Sequence, residues 1–282
     1  GWHLLHLGNL ALSGAGLLII EATAVSPEGR ITPWDLGLWS DAHASVLQET
    51  LDLIRTYSTI PLAIQIGHAG RKASTNRPWK GGAYVPPSEG GWLPMAPSPI
   101  PFTAGDPQPT ALIPSEIERI VEAFVAAAER AHRLGIDLIE LHAAHGYLLH
   151  EFLSPLSNQR EDQYGGSLEN RMRLLLETVA RIQDLCGDFP VLARTRAAQL
   201  IVDQVAECGI SLAVAELPYA TDIAPRLRYP NDFDLYLGAW QWGLDPDDSD
   251  IFASDACPAR GPGPAPIRRI IGIAQYYTHL FQ

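Results

Sequence analysis

The chain has 282 residues, 46% of them hydrophobic and 18% charged, with a formal net charge of −12; a chain of that length and composition can bury a substantial core. The acid excess disfavours the phosphate-neutralising contacts that give nucleic-acid affinity, and no basic cluster offsets it locally, so nucleic acid is excluded as a partner. The longest apolar run, Leu17–Ile20, stops at Glu21, far short of the roughly 20 residues needed to cross a bilayer.

Taken in order, the spacing of apolar residues predicts a helix over Trp2–Leu12, closed by Gly14 and Gly16, and then a strand over Leu17–Thr23. Ser40 or Asp41 can cap a second helix that runs to about Tyr57. A second strand, Pro61–Ile66, ends in the polar run Gly67–Lys72. From Ala73 to Pro114 the chain is rich in Pro, Gly, Ser and Trp without periodicity. That is long for a connection, and an active-site cover is expected there.

Ser115 with Glu118 reads as a capping box, and Ile117, Ile120, Val121, Phe124, Ala128 and Ala131 form the buried stripe of a helix ending near Gly135. That helix delivers a central apolar strand, Ile136–Leu141, which runs into His142, His145, Gly146 and Tyr147. Three groups able to donate hydrogen bonds therefore converge at one strand end. A turn-rich segment follows. Ser167 can start a helix through Arg181 with Met172, Leu175, Leu176 and Val179 facing inward, and a strand is predicted over Val191–Arg194. Beyond it the alternation continues, with a helix over Ala197–Glu207 and strands over Ile210–Leu217 and Phe233–Ala239, before an Ala/Pro/Gly-rich linker at Ala253–Pro266 and a short amphipathic end, Ile267–Phe281.

Repeated alternation with fully apolar strands implies a parallel sheet covered by helices, either an open doubly wound sheet or a barrel. Glu21 and Ala22, Gln65 to His68, His142 to Tyr147 and Arg194 all fall at C-terminal strand ends, where barrel active sites are built, so the expectation is an α/β fold of (β/α) TIM-type barrel form. The barrel is expected to be irregular or incomplete, with an atypical C-terminal third. Cys186, Cys208 and Cys257 are odd in number and lack a C-x-x-C pair, which argues against a disulfide framework or a zinc site and for a reducing, cytoplasmic compartment. The chain opens on Gly1, Trp2 and His3, without an initiator Met or a secretory leader. Upstream residues are therefore expected to be missing.

The runs Trp2–Gly8, Glu21–Arg30, Gln65–Lys72 and above all His142-Ala143-Ala144-His145-Gly146-Tyr147, completed by Phe152–Arg160 and Tyr164–Arg171, resemble the old yellow enzyme family of FMN-dependent ene-reductases. The likeness is strongest to its bacterial NADH:flavin oxidoreductases and NADPH dehydrogenases, and it covers residues 1 to about 195. It implies that NAD(P)H reduces a bound FMN and that hydride then passes to the activated C=C of an α,β-unsaturated carbonyl. In that resemblance His142 and His145 match the pair that binds the carbonyl oxygen, two donors suited to a developing enolate. Tyr147 matches the proton donor, a phenol that keeps its proton at neutral pH yet can release it to a carbanion-like centre. Gln65 and Arg194 match residues on the flavin pyrimidine edge, and Ala22 matches a small residue beside the ring.

Taken alone, each of these residues has a plainer reading. An H-x-x-H pair is as easily structural, Gln65 an ordinary strand-end residue and Arg194 an ion-pair partner. His68, Arg71 and Lys72 can be loop structure only, and Arg160, Asp162, Glu169, Asn170 and Arg171 a polar network fixing the loop after the central strand.

Residues 197–252, with Ala198–Ile210, Arg226–Arg228, Asp232–Trp242 and Asp245–Asp248, are instead similar to a fragment of the second lobe of ABC-transporter oligopeptide-binding proteins. The division expected is thus 1–195, 196–252 and 253–282, in a joined or truncated chain. The family's segment ahead of Trp2 and its phosphate-binding strands after Arg194 are not found, so weak or absent FMN retention is expected. Two other readings stand beside the reductase. One is a metal-dependent barrel hydrolase using His68, His142 and His145 with Glu21 or Glu140, and the other a non-enzymatic solute-binding fragment. The enone, the choice between NADH and NADPH, and the oligomeric state, a homo-oligomer included, stay open.

Overall fold

The computed structural model describes residues 1–195, so the elements predicted over Ala197–Glu207, Ile210–Leu217 and Phe233–Ala239, and the oligopeptide-binding resemblance, lie outside the described residues. The chain divides into two compact units. One holds Gly1–Ile19 and Thr50–Leu62, the other Ile20–Glu49 and the described residues from Ala63 onward.

In the first unit α1 (Trp2–Ala11) buries Leu7 and Ala11 and ends one residue before the expected Leu12. Its C-terminal carbonyl at Ala11 accepts from the Ser58 hydroxyl at 2.6 Å, which satisfies a group that the helix itself leaves open. The Leu18 N–H donates to the Pro61 carbonyl at 3.0 Å.

β1 (Leu18–Ala24), α2 (Asp41–Tyr57) and β2 (Leu62–Gly67) run across the division between the units. Ser40 is the cap of α2, its hydroxyl accepting from the His43 N–H at 3.4 Å. Within the second unit come β3 (Met95–Ala96), β4 (Thr110–Ala111), α3 (Pro114–Arg133), β5 (Leu138–His142), α4 (Leu148–Leu153), α5 (Leu168–Cys186) and β6 (Val191–Arg194). The main sheet has the order β1-β2-β5-β6, with β2 and β6 both parallel to β5. β5 is buried along its whole length, as is β2 from Leu62 to Ile66, the pattern expected when helices cover a parallel sheet.

α3 buries the predicted stripe with Ala127 added. It starts earlier than the Ser115 and Glu118 box implies. Pro114 at the first helical position has its φ already set for a helix, and the Glu116 carboxylate accepts from the Ile113 N–H at 2.9 Å. α5 begins as expected, Ser167 accepting from the Asn170 N–H at 3.2 Å, but runs past Arg181 to Cys186. Its inner face is Met172, Leu174, Leu175, Thr178 and Ile182, with Leu176 and Val179 only half-buried. Thr178 can take an inner position because its hydroxyl donates to the Leu174 carbonyl at 2.7 Å, so burial leaves no polar atom unsatisfied.

The long connection after β2 is ordered by contacts that have no sequence period. Arg30 lies over the rings of Trp39 and Trp92 at 5.5 and 4.6 Å, and the Trp92 Nε1–H donates to the Glu28 carbonyl at 2.8 Å. The Ser74 hydroxyl donates to Val85 O at 2.7 Å and accepts from the Trp92 N–H at 2.8 Å. Arg160 pins the far end of the connection, donating to Pro97 O at 2.9 Å and pairing with Asp162. Arg171 donates to the Leu153 carbonyl at 2.8 Å and Asn170 to that of Gly165 at 3.0 Å. Arg160, Asp162, Asn170 and Arg171 thus take the expected structural role. The segment after Tyr147, expected as turn, contains the short α4.

Candidate active site

Parallel register sets the site. Gln65 on β2 is level with Glu140 on β5, and His142, two residues further along β5, is level with Arg194 on β6. Alternation along a strand then puts Gln65, Glu140, His142 and Arg194 on one face of the sheet, at the C-terminal end of their strands. Glu21 does not join them: it is exposed on β1, while its neighbour Ala22 lines the pocket.

That pocket, about 270 Å³ and open to solvent, is lined by residues that include Ala22, Gly67, His68, His142 and Tyr147. The His142 ring stands edge-on to two others, that of His145 at 5.0 Å and 82° and that of Tyr147 at 4.8 Å and 80°. His142 is 2% exposed. Burial, aided by the neighbouring charges of His145, Arg194, Lys72 and His150, pushes its pKa down to about 3. Its Nδ1 accepts from the Ala144 N–H at 3.4 Å, so a neutral ring carries its proton on Nε2. Nε2 is buried with no hydrogen-bond partner among the described residues. A buried donor without a partner costs about 1–3 kcal/mol, and a ligand oxygen would remove that cost.

After β5 the chain turns sharply. His145 and Gly146 both have positive φ, 59° and 76°, and for the non-glycine residue that costs about 1 kcal/mol or more. The Lys72 ammonium donates to the His145 carbonyl at 2.9 Å. The turn then delivers Tyr147 as the residue ahead of α4, and Leu148 N–H bonds to the His68 carbonyl at 3.0 Å, tying the ends of β2 and β5 together.

Gln65 and Arg194 meet around Glu140. The Gln65 Nε2 donates to Glu140 Oε1 at 2.7 Å, and Arg194 Nε lies 3.4 Å from the same oxygen. Burial raises the Glu140 pKa, with Arg194 and Gln65 opposing it, and Oε2 has no partner among the described residues. These two side chains stand outside the lining of the pocket that holds Ala22, His142 and Tyr147. An amide and a guanidinium on one sheet face nonetheless offer the donors and acceptor that the imide edge of a flavin requires. The residues present therefore fit that part of the cofactor.

Sequence pattern alone does not single out Glu140, except as a metal ligand, or Glu151. Glu151 is wholly buried on α4, and burial pushes its pKa up to about 8. Both carry a visible signal, a carboxylate inside an apolar run, which demands a partner. Among the described residues no three His, Cys, Asp or Glu side chains gather as a metal site, so the hydrolase reading gains no support. No helix among them is long and apolar enough to cross a membrane.

Comparison with known proteins gives the same family as the sequence resemblance. The model of the NADH:flavin oxidoreductase / NADH oxidase family matches residues 2–217, past the expected end of the resemblance near residue 195. An NADH:flavin oxidoreductase of Gibberella zeae is 48% identical over 201 residues, 70% of this chain and 48% of that protein. An NADPH dehydrogenase of Halalkalibacterium halodurans is 45% identical over 198 residues, 70% and 53% of the two chains. The chain thus spans about half the length of these relatives. Among solved structures, morphinone reductase superposes with a TM-score of 0.58 at 32% identity, over 68% of this chain and 53% of that one. The parallel α/β arrangement is that of the (β/α) barrel expected from the sequence, and the described residues supply four strands of its sheet.

Proposed function

Because this chain belongs to the NADH:flavin oxidoreductase / NADH oxidase family, we propose that it is part of an FMN-dependent reductase that passes hydride from NAD(P)H to the activated C=C of an α,β-unsaturated carbonyl. The observation that carries the reading is the buried His142 Nε2–H, which has no partner among the described residues and belongs to a ring set edge-on to those of His145 and Tyr147. A neutral imidazole fixed in that tautomer is a ready donor to a carbonyl oxygen, and a stronger one as the oxygen gains charge. His145, from the adjoining turn, supplies the second donor.

Tyr147 gives its proton to the α-carbon and is restored from solvent. FMN, when bound, supplies the hydride. Gln65 and Arg194 hold the pyrimidine edge, where the guanidinium stabilises negative charge, and Ala22 leaves room beside the ring. In the same reading the substrate is a small enone, and the reductant is drawn from the cytoplasmic NAD(P)H pool.

Titrating flavin-free protein with FMN tests the reading. A weak but saturable change in flavin absorbance is expected, in line with the weak retention expected from the sequence, and Arg194→Ala should weaken it about 10- to 100-fold further, the loss of one charge-assisted hydrogen bond of roughly 1.5–3 kcal/mol. No saturable change up to millimolar FMN would count against the reading.

A further inference from the structure

Two buried or half-buried ionisable side chains behind the site, Lys72 and Glu151, have no part in the chemistry so far. Lys72 follows β2, and its Nζ is 4.7 Å from the ring centre of Tyr147 and 4.7 Å from that of Phe102. The same ammonium donates to the carbonyl of His145, the left-handed residue of the turn. The side chain is therefore fixed at three points, and two of them belong to the segment that carries the proton donor.

Its own position is set from α4. The Arg71 N–H donates to Glu151 Oε1 at 2.9 Å. Gly70, at φ 61°, lets that carboxyl approach, since a Cβ there would lie 2.2 Å from Glu151 Oε1. A side chain at position 70 would thus displace Glu151 and the turn it holds. The device joins the ends of β2 and β5: Glu151 holds the 70–72 turn, and Lys72 reaches from it to His145 and Tyr147.

We propose that Lys72 is a positioning and electrostatic residue for Tyr147, holding the 145–147 turn and stabilising the phenolate left when Tyr147 protonates the α-carbon. The inference rests on the role of Tyr147 given above. Reduced FMN, if bound, would supply the hydride for the new C–H bond at the β-carbon, and the C=C electron pair would then move to the α-carbon and carbonyl. The Tyr147 O–H breaks as its proton forms the new bond at the α-carbon, and solvent then reprotonates the phenolate. During that interval a phenolate lies beside an ammonium in a half-buried site, where opposite charges attract more strongly than in water.

Among the described residues Tyr147 is faced by Lys72 and by His142, Asp35 and His68 line the same pocket, and His145 and His150 lie in its own segment. His142 stays neutral down to a pH of about 3. Burial lowers the Lys72 pKa, with Glu151 opposing and Arg71 adding to the effect, and Glu151, pushed up to about 8, carries no full negative charge at neutral pH. Lys72 is thus the cation over the phenol ring that shares its contact with the turn.

Tyrosinate absorbance titrations, each run with and without Tyr147→Phe to isolate one of the nine tyrosines, test the inference without flavin. In Lys72→Met the Tyr147 midpoint is expected to rise by about one unit or more, the usual effect of removing an opposite charge within 4–6 Å. Lys72→Arg, which keeps charge and donors, should restore the midpoint of the unaltered protein. A midpoint unchanged in Lys72→Met, or a Lys72→Arg protein that behaves like Lys72→Met, overturns the inference. The outcome is separable from that of the flavin reading. A protein that fails to bind FMN yet shows the shift loses the reductase reading and keeps the electrostatic pair, whereas FMN binding with no shift does the reverse.

Discussion

Replacing His142 and His145 together by Ala is expected to abolish measurable binding of a phenol ligand, whose ionised oxygen mimics the enolate, while leaving FMN affinity within a few-fold of normal. His142 alone should account for most of the loss. Its Nε2 is a buried donor with no partner among the described residues, so it loses no protein hydrogen bond on meeting the ligand oxygen, and bonds to a charged acceptor are the strong kind. Removing one such donor to an oxyanion costs about 10²–10³ in rate, and His142→Ala should lower kcat/KM for an enone by that amount. Because the folded pKa is about 3, the donor remains neutral over the whole working range. The unfolded imidazole would take a proton near pH 6.5, yet ligand binding should show no limb there from His142. Equilibrium titration of the phenol against wild-type and variant protein, with FMN bound, checks both statements. Phenol affinity unchanged in the double variant, with flavin lost instead, would remove these histidines from the site.

The second large effect belongs to Tyr147→Phe. The ring packs edge-on against His142 and under Lys72, and both contacts survive the change, since they depend on the ring rather than the hydroxyl. Only the proton is lost. General acid catalysis contributes about 10²–10⁴-fold, so oxidation of the reduced flavin by an enone should slow by that factor. Reduction of the flavin by NAD(P)H, which takes no proton from Tyr147, should stay near its normal rate. Rapid-mixing measurement of the two half-reactions separates the outcomes. Equal slowing of both would mean that Tyr147 shapes the site and does not supply the proton.

The strand β5 shows why so much of the site is legible in the amino-acid sequence. A buried parallel strand reveals itself by an apolar run, and its C-terminal end is where the polar cargo must lie, so His142, His145 and Tyr147 can be placed together from order alone. The family resemblance supplies their roles. α4 escapes because six residues carry less than two helical turns, too short for a period to register. The inner face of α5 differs from the expected one: Leu176 and Val179 are only half-buried, while Leu174, Thr178 and Ile182 are buried, and Thr178, polar by composition, can be buried because it satisfies itself within the helix. The connection after β2 is legible only as a cover, since its order comes from Arg30, Trp39 and Trp92, residues far apart in the chain that meet in space.

Glu140 and Glu151 are the least legible of the residues that matter. Each is a carboxyl in an apolar run, and each organises the groups beside it: Glu140 gathers Gln65 and Arg194, and Glu151 holds the turn that aims Lys72. A single sequence displays such residues without displaying their partners, which here lie on another strand or turn. Gln65 is 75 residues from Glu140 and Arg71 is 80 from Glu151.

In the proposed reaction one pocket, at the C-terminal ends of β1, β2 and β5, receives an enone oxygen at His142 and protonates its α-carbon from Tyr147. Anaerobic reoxidation of FMN-loaded, reduced protein by 2-cyclohexenone tests this. Reoxidation much faster than that of free reduced FMN by the same enone is expected, with the advantage removed by His142→Ala or Tyr147→Phe. Reoxidation at the free-flavin rate with FMN demonstrably bound, or an advantage that survives both substitutions, would contradict it.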